Sequence, residues 1–320
     1  MEREAEVMGL PTNFGEESYL AHVAKNLEYG ERLQRIVDPN NFIYKVSAEI
    51  CDGDAFPVFF SNHNQHLNIA GMHKLIGALP FRPDDMYAVV AWSLLNDGQN
   101  AKIVSFAKAL VPFLEKDSIH LVPLARPKDI ADMRANGQKE QARFALHATR
   151  QNMELLENSL TKSAGLILFP GATTAEAVKD EFGVRPGMGK VEGNFMQDFA
   201  IKAKEVGRNV LWVPAGMVDT NRIVEPRESN PHLRAKFEIG KDKLFGHFGI
   251  DVITPIAQIV LGEPFYIENP SAFSGNEFND YVMPKVAELL HEKDRGYYGN
   301  NGQMFHELSA GRPRFLGIDY

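Results

Sequence analysis

Short apolar runs alternate along the chain with segments whose apolar residues have helical spacing. The runs FPVFF (56–60) and NVLWVP (209–214) are far shorter than the roughly 18 residues that a membrane span needs, and they are typical of buried strands. Amphipathic segments follow, such as 194–207, with Asn194 as N-cap and Gly207 as its stop. This alternation predicts an α/β fold with a mixed, largely parallel sheet flanked by helices.

The same pattern predicts the other elements, although MYAVVAWSLL (86–95) fits either a strand or a helix. Further strands are expected at NFIYKVSAEI (41–50), DSIHLVPLAR (117–126) and LILFP (166–170), single helices at 129–165 and 279–296, and a glycine-containing loop up to Gly189. Leu20, Val23, Ala24 and Leu27 share one helical face near the start. We therefore predict a helical extension over 1–45, one α/β domain over 46–300 and a tail over 301–320.

Composition narrows the class of protein. A hydrophobic content of 44% with 24% charged residues is ordinary for a globular protein. The formal charge of -8 argues against a nucleic-acid partner, because phosphate-backbone binding needs clustered cations. Cys51 is the single cysteine, so no disulfide forms within the chain, and a reducing compartment is favoured. The acidic N-terminus carries no basic and apolar signal pattern, so we expect no signal sequence. We expect a cytoplasmic protein, soluble or peripheral to a membrane surface.

Three predicted strands end in residues that can take part in catalysis or in ligand binding. VFFSNH ends at His63, IHLVPLAR ends at Arg126, and LILFPGATT ends in a small polar turn. Ligands of open α/β sheets bind where loops leave the carboxyl ends of the strands. A base, a cation and a loop of backbone amides are the parts needed to deprotonate a hydroxyl beside an anionic group. His63 reaches Asn68 only if it precedes a helix whose first turn contains Asn68.

Five stretches in order resemble the motifs of the glycerophosphate acyltransferase superfamily. They are SNHNQHLN (61–68), IHLVPLAR (119–126), LILFPGATT (166–174), LWVPAGM (211–217) and VMPKVAELLHEKDRGYY (282–298). The first resembles a motif in which Asn-His is followed, after four further residues, by Asp. The second resembles one in which an arginine closes a strand and binds phosphate. Together they extend over roughly residues 55 to 300, which makes the joint match more specific than any single motif.

The resemblance implies an O-acyltransferase of phospholipid synthesis. Such an enzyme moves an acyl group from acyl-CoA or acyl-carrier protein to a hydroxyl of glycerol 3-phosphate or lysophosphatidate, and it uses no cofactor. His63 would be the general base, with Asn68 at the position of the family's aspartate. The residues implied to bind substrate phosphate are Arg126, Pro170, Gly171, Ala172, Thr173 and Thr174. Arg185 or Lys190 is predicted to supply a second cation.

Two departures from the family pattern leave an alternative open. Asn68 replaces an aspartate, and an amide orients a histidine ring without balancing its positive charge. In serine proteases the equivalent change costs about 10⁴ in turnover. Gly171 and Ala172 also replace Glu-Gly, and Thr174 replaces Arg. The alternative is a non-catalytic or altered-acceptor member that binds phospholipid or acyl thioester.

Simpler interpretations also exist for individual residues. His63 and His66 have the spacing of a zinc pair, but no third ligand is nearby, so a metal site is disfavoured. The GMGK sequence that ends at Lys190 is similar to the end of a phosphate-binding loop, but Val184 replaces its first glycine and Val191 replaces its serine or threonine. Arg126 alone also fits an ordinary surface charge at a strand end.

Overall fold

The computed structural model describes residue 28 and residues 30–62, 67–92, 110–170, 176–180, 183–188, 190–191, 193–219, 257–273 and 276–299. The strands are β1 (Gln34–Val37), β2 (Ala55–Ser61), β3 (Asp85–Ala91), β4 (Ile119–Leu124), β5 (Ala164–Leu168), β6 (Glu176–Asp180), β7 (Gly183–Gly187), β8 (Asn209–Val218), β9 (Ala257–Leu261) and β10 (Phe265–Tyr266). The helices are α1 (Phe42–Cys51), α2 (Leu67–Gly77), α3 (Pro127–Ala135), α4 (Lys139–Ser159), α5 (Phe195–Glu205), α6 (Glu277–Val282) and α7 (Pro284–Ala287). Short 3₁₀ turns cover Pro270–Ala272, Glu292–Asp294 and Gly296–Tyr298.

The main sheet has the strand order β1-β9-β8-β2-β5-β3-β4, and β10 pairs with β8 beside β9. Strands β8, β2, β5, β3 and β4 are parallel to one another. β9 and β10 are antiparallel to β8, and β1 is parallel to β9. The predicted fold class, a mixed and largely parallel sheet with flanking helices, is confirmed.

Strand β2 lies at the centre of this sheet and is buried along its whole length. Its side chains alternate between two hydrophobic clusters. Phe59 belongs to the cluster that contains Leu75 of α2. Phe56 and Phe60 belong to the cluster on the opposite face, which contains Phe199 of α5. A strand covered by helices on both faces is apolar at every position, which explains the continuous run FPVFF.

The strand predicted at 41–50 is wrong, because this segment forms helix α1. Its buried residues are Val46, Ser47 and Ile50, which have helical spacing. The carboxylate of Asp38 accepts the backbone N–H groups of Phe42 at 2.7 Å and Ile43 at 2.9 Å, so it satisfies two donors at the start of the helix.

The helix predicted over 129–165 is confirmed for most of its length, but it is divided into α3 and α4 by a turn, and its predicted end, Gly165, lies in β5. Gly137 has a φ of 77° at this turn, a conformation that glycine adopts readily. Near the C-terminus, the helix predicted over 279–296 is divided into α6, α7 and 3₁₀ turns. Pro284 has no backbone N–H to continue a helix.

Two further predictions, the glycine-containing loop up to Gly189 and the helical extension over 1–45, differ from the structure. β6 and β7 form an antiparallel hairpin within the segment that was predicted as a loop. Most of the extension predicted over 1–45 lies outside the described residues, but β1 belongs to the main sheet.

Within the described ranges, no helix has both the length and the apolar character to cross a membrane.

Candidate functional site

The strands that carry the predicted site residues end at the same edge of the sheet. The register of the four strands β2, β5, β3 and β4 forms one row across the sheet, which consists of Phe59, Ile167, Ala88 and Leu121. Three predicted site residues lie beyond that row, at the carboxyl edge: Asn62 precedes His63 after β2, Pro170 follows β5, and Arg126 follows β4. Three strand spacings separate β2 from β4, a distance of about 14 Å. A substrate that contacts residues at both strand ends therefore has to lie along this edge.

Asn62 is fixed to the neighbouring strand by its side chain. Regular pairing between β2 and β8 ends at Ser61 and Ala215. Beyond that point, Asn62 Oδ1 accepts the Met217 N–H at 2.7 Å, and Asn62 Nδ2 donates to the Met217 carbonyl at 3.1 Å. The side-chain amide thus takes the place of a backbone peptide group in the ladder. It fixes the backbone immediately before His63.

Asn68 lies in the first turn of α2, as predicted, and it bonds back to the strand end. The residue is fully buried, at 0% exposure, and its Nδ2 donates to the Asn62 carbonyl at 2.9 Å. Its Oδ1 is also buried and has no hydrogen-bond partner within the described part of the chain. Asn68 therefore holds the end of β2 and has one acceptor left. His63 and His66 lie outside the described residues.

Arg126 lies at the predicted place, two residues after the end of β4, and its guanidinium is paired with the Asp129 carboxylate. Arg126 is the N-cap of α3, and Pro127 follows at the first helical position. Its Nη2 donates to Asp129 Oδ1 at 2.7 Å, and its Nε donates to Asp129 Oδ2 at 3.0 Å. This hydrogen bond raises the pKa of the Arg126 guanidinium above its usual value. The side chain is half exposed and fully charged, and Asp129 offsets part of its charge.

The remaining predicted phosphate-binding residues are described only in part. Gly171, Ala172, Thr173 and Thr174 lie outside the described residues, whereas Pro170 ends the described part of that loop. Arg185 lies in β7, opposite Val178 of β6. The Lys190 ammonium lies 5.5 Å from the centre of the Tyr297 ring. This contact places Lys190 against the C-terminal segment.

The C-terminal segment binds the chain that follows the β6–β7 hairpin. The Met188 N–H donates to the Asp294 carbonyl at 3.3 Å, and the Tyr297 N–H donates to the Met188 carbonyl at 2.8 Å. The Tyr298 hydroxyl accepts the Val191 N–H at 2.9 Å. We call residues 294–298 the C-terminal clasp, because they hold both ends of the short stretch 188–191.

Sequence reasoning missed three participants in this region: Asn62, Met217 and Asp129. Asn62 directly precedes His63, but nothing in the local sequence indicates that its partner is Met217. Asp129 has a visible signal, because an acid three residues after an N-cap is typical of a capping box. That spacing predicts that Asp129 competes with a substrate phosphate for the Arg126 side chain.

No protein-family model matches the chain, and comparison with curated proteins found no match either. Function is therefore inferred from the residues of the site and their geometry.

Proposed function

We propose that this protein transfers an acyl group from a thioester, acyl-CoA or acyl-carrier protein, to a hydroxyl of glycerol 3-phosphate or lysophosphatidate. The main observation in support of the proposal is the set of hydrogen bonds that hold the end of β2 at Asn62. Two amide side chains fix the backbone there, directly before a histidine, at the sheet edge that also carries Arg126. Such an edge is where α/β sheets bind their ligands.

His63 is the general base in this proposal. Its imidazole takes the proton of the acceptor hydroxyl while the hydroxyl oxygen attacks the thioester carbonyl. The tetrahedral intermediate then collapses, the carbon–sulfur bond breaks, and the thiolate leaves with the proton from the imidazolium. The products are an ester and a free thiol, and the histidine returns to its neutral form. Backbone N–H groups of the loop after Pro170 would stabilise the oxyanion.

Arg126 binds the acceptor phosphate in this scheme, because a guanidinium forms two parallel hydrogen bonds with phosphate oxygens. Asp129 competes for the same donors. It also holds the guanidinium in place before substrate arrives, which reduces the side-chain entropy lost on binding.

The Arg126–Asp129 pair also favours a second candidate function, an altered-acceptor member of the fold. A guanidinium neutralised by a carboxylate attracts a doubly charged phosphate less strongly than an unpaired one does. The acceptor in this case is a hydroxyl compound without a phosphate monoester, and the chain still binds an acyl thioester.

An acceptor panel separates the two candidates. Purified protein is incubated with labelled acyl-CoA or acyl-carrier protein and with glycerol 3-phosphate, lysophosphatidate, glycerol or monoacylglycerol. Ester formation with the phosphorylated acceptors supports the first function, and ester formation with only the uncharged ones supports the second. Binding of the thioester without ester formation would indicate a non-catalytic protein.

Replacing Arg126 with glutamine is expected to raise KM for glycerol 3-phosphate about 10- to 100-fold with little change in kcat. This range corresponds to about 1.4–2.7 kcal/mol, which is close to the contribution of about 1.5–3 kcal/mol from a hydrogen bond to a charged group. Replacing Asp129 with asparagine is expected to lower KM, because it removes the competing charge and keeps a side-chain oxygen for the cap. Steady-state kinetics with the phosphorylated acceptor provide the measurement.

The matched control for Arg126 is Arg134→Gln, which removes an exposed arginine from the same helix. KM is expected to stay at the wild-type value in this variant. Equal KM values for Arg126→Gln and the wild type would exclude Arg126 as the phosphate ligand.

A further inference from the structure

Helix α4 presents two large apolar side chains to solvent. Phe144 is 62% exposed and Leu155 is 44% exposed, and within the described part of the chain no other helix carries two such residues. Residues eleven apart on a helix share one face, because about three turns separate them. The two side chains therefore form an exposed apolar stripe, whereas Ala142 and Leu156 are buried. The Phe144 ring also packs edge-on against the buried Trp92 ring at 5.7 Å, which fixes its position.

A cationic stripe runs along α4 beside the apolar stripe. Lys139, Arg143 and Arg150 are exposed and follow one another at spacings of four and seven residues, so they share a face. Glu140 and Glu154 lie about one turn from Arg143 and Arg150 but form no ion pair with them. Among the described residues, no carboxylate pairs with any of the three cations. Their charges are therefore available to an external partner.

Two side-chain hydrogen bonds fix α4 to the end of β4. Thr149 Oγ1 accepts the Ala125 N–H at 2.9 Å, and Asn152 Nδ2 donates to the Pro123 carbonyl at 2.7 Å. Ala125 directly precedes Arg126. Helix α4 therefore lies beside the strand end that carries Arg126, and its outer surface is fixed relative to that strand end.

We propose that the outer face of α4 binds the surface of an anionic lipid bilayer. This face consists of Lys139, Arg143, Phe144, Arg150 and Leu155. Its cations attract anionic headgroups, and its apolar side chains enter the boundary between headgroups and acyl chains. Because the whole chain has a formal charge of -8, an anionic surface repels the rest of the protein and favours contact through this face. The inference goes beyond the proposed function and does not depend on acyl transfer.

An acidic protein is attracted by the same cations, but the apolar stripe fits a bilayer better. Phe144 and Leu155 lie about 16 Å apart along the helix axis, and the polar Gln151 lies between them. A protein interface has a contiguous buried core, whereas a bilayer accepts separate side chains along a plane. The spacing on α4 therefore favours a lipid surface over an acidic protein.

Sedimentation of the full chain with lipid vesicles tests the inference. The wild type is expected to bind phosphatidylcholine vesicles that contain one third phosphatidylglycerol, and to bind pure phosphatidylcholine vesicles about 10-fold or more weakly. Raising the salt from about 0.1 M to about 1 M is expected to weaken binding, because the Debye length falls from about 10 Å to about 3 Å. Equal binding to both kinds of vesicle, or binding to neither, would overturn the inference.

Replacing Arg143 and Arg150 together with glutamine is expected to weaken vesicle binding about 25-fold, since each cation near an anionic surface contributes about 5-fold. The matched control replaces Lys202 and Lys204 with glutamine. These exposed lysines lie on α5, so the control loses the same charge from another helix. It is expected to bind vesicles like the wild type. An equal loss in both variants would show an effect of total charge and refute the assignment to α4.

Phe144→Ala is expected to weaken vesicle binding about 10-fold even at about 1 M salt, where the charges are screened. Tyr44→Ala is its control, because Tyr44 is 67% exposed but lies on α1. Unfolding midpoints, measured before vesicles are added, show that each variant is folded. Equal vesicle binding by the two variants would contradict the apolar contact.

A last measurement tests the acidic-protein partner, with purified acyl-carrier protein as the probe. Its binding to the wild type, lost in the variant without Arg143 and Arg150 and accompanied by no vesicle binding, would assign the face to a protein and overturn the inference. Vesicle binding that is lost in this variant and in Phe144→Ala supports the inference. Because no substrate is present, this result is independent of whether the protein transfers acyl groups.

Discussion

Replacing His63 with alanine is expected to lower kcat for acyl transfer about 10²- to 10⁴-fold, the usual contribution of a positioned general base. Without the imidazole, the acceptor hydroxyl keeps its proton until late in the attack on the thioester. The loss is expected mainly in kcat, because the proposed function assigns phosphate binding to Arg126 and not to His63. Turnover at saturating acceptor, measured by release of free thiol, checks this result.

The fold is expected to survive this substitution. The hydrogen bonds that fix the strand end belong to Asn62 and Asn68. Equal unfolding midpoints for His63→Ala and the wild type would show this. His120→Ala is the matched control. His120 lies near the amino end of β4, away from the carboxyl edge, and its ring contacts the Asp85 carboxylate at 2.9 Å. Turnover that is lost equally in both variants, or in neither, would contradict the role given to His63.

Replacing Gly296 with alanine is expected to open the C-terminal clasp. Gly296 has a φ of 54°, a conformation that costs other residues about 1–2 kcal/mol. A Cβ at this position would also lie 2.5 Å from the Met188 nitrogen and 2.9 Å from its carbonyl carbon. Both are backbone atoms and cannot move aside like the end of a side chain. Overpacking of this kind adds about 1–3 kcal/mol.

The predicted result is a lower unfolding midpoint together with faster amide exchange at Met188 and Val191, whose N–H groups donate into the clasp. Gly77→Ala is the control, because a Cβ on Gly77 would meet no atom within 4 Å. That variant is expected to be neutral or slightly more stable, since alanine favours a helix more than glycine does. Wild-type exchange rates at Met188 in Gly296→Ala would show that the clasp tolerates a side chain.

The layered fold was predictable because its signals are local. A strand buried on both faces, such as β2, is apolar at consecutive positions whatever its partners are. The errors arose where two periods compete within a short window. In 41–50, Phe42, Ile43 and Tyr44 suggest a strand, but the buried residues are Val46, Ser47 and Ile50. Tertiary packing decided this segment in favour of a helix.

The positions of Arg126 and Asn68 in the fold could be predicted from the sequence. The hydrogen bonds that hold the neighbouring strand end could not. Arg126 lies after β4 and Asn68 in the first turn of α2, as the spacing indicated. The bonds that hold Asn62 join residues 155 positions apart, and no local pattern encodes such a pairing. Interactions at that separation arise only from the arrangement of the whole sheet.

The bonds between Asn62 and Met217 have a consequence for the time at which this site forms. During synthesis, β2 leaves the ribosome long before β8, so the strand end at Asn62 lacks its partner until more than 150 further residues have been added. Closing so long a loop is slow compared with forming local helices. In the nascent chain, the Asn62 side chain therefore becomes fixed only after β8 has been synthesised and has joined the sheet.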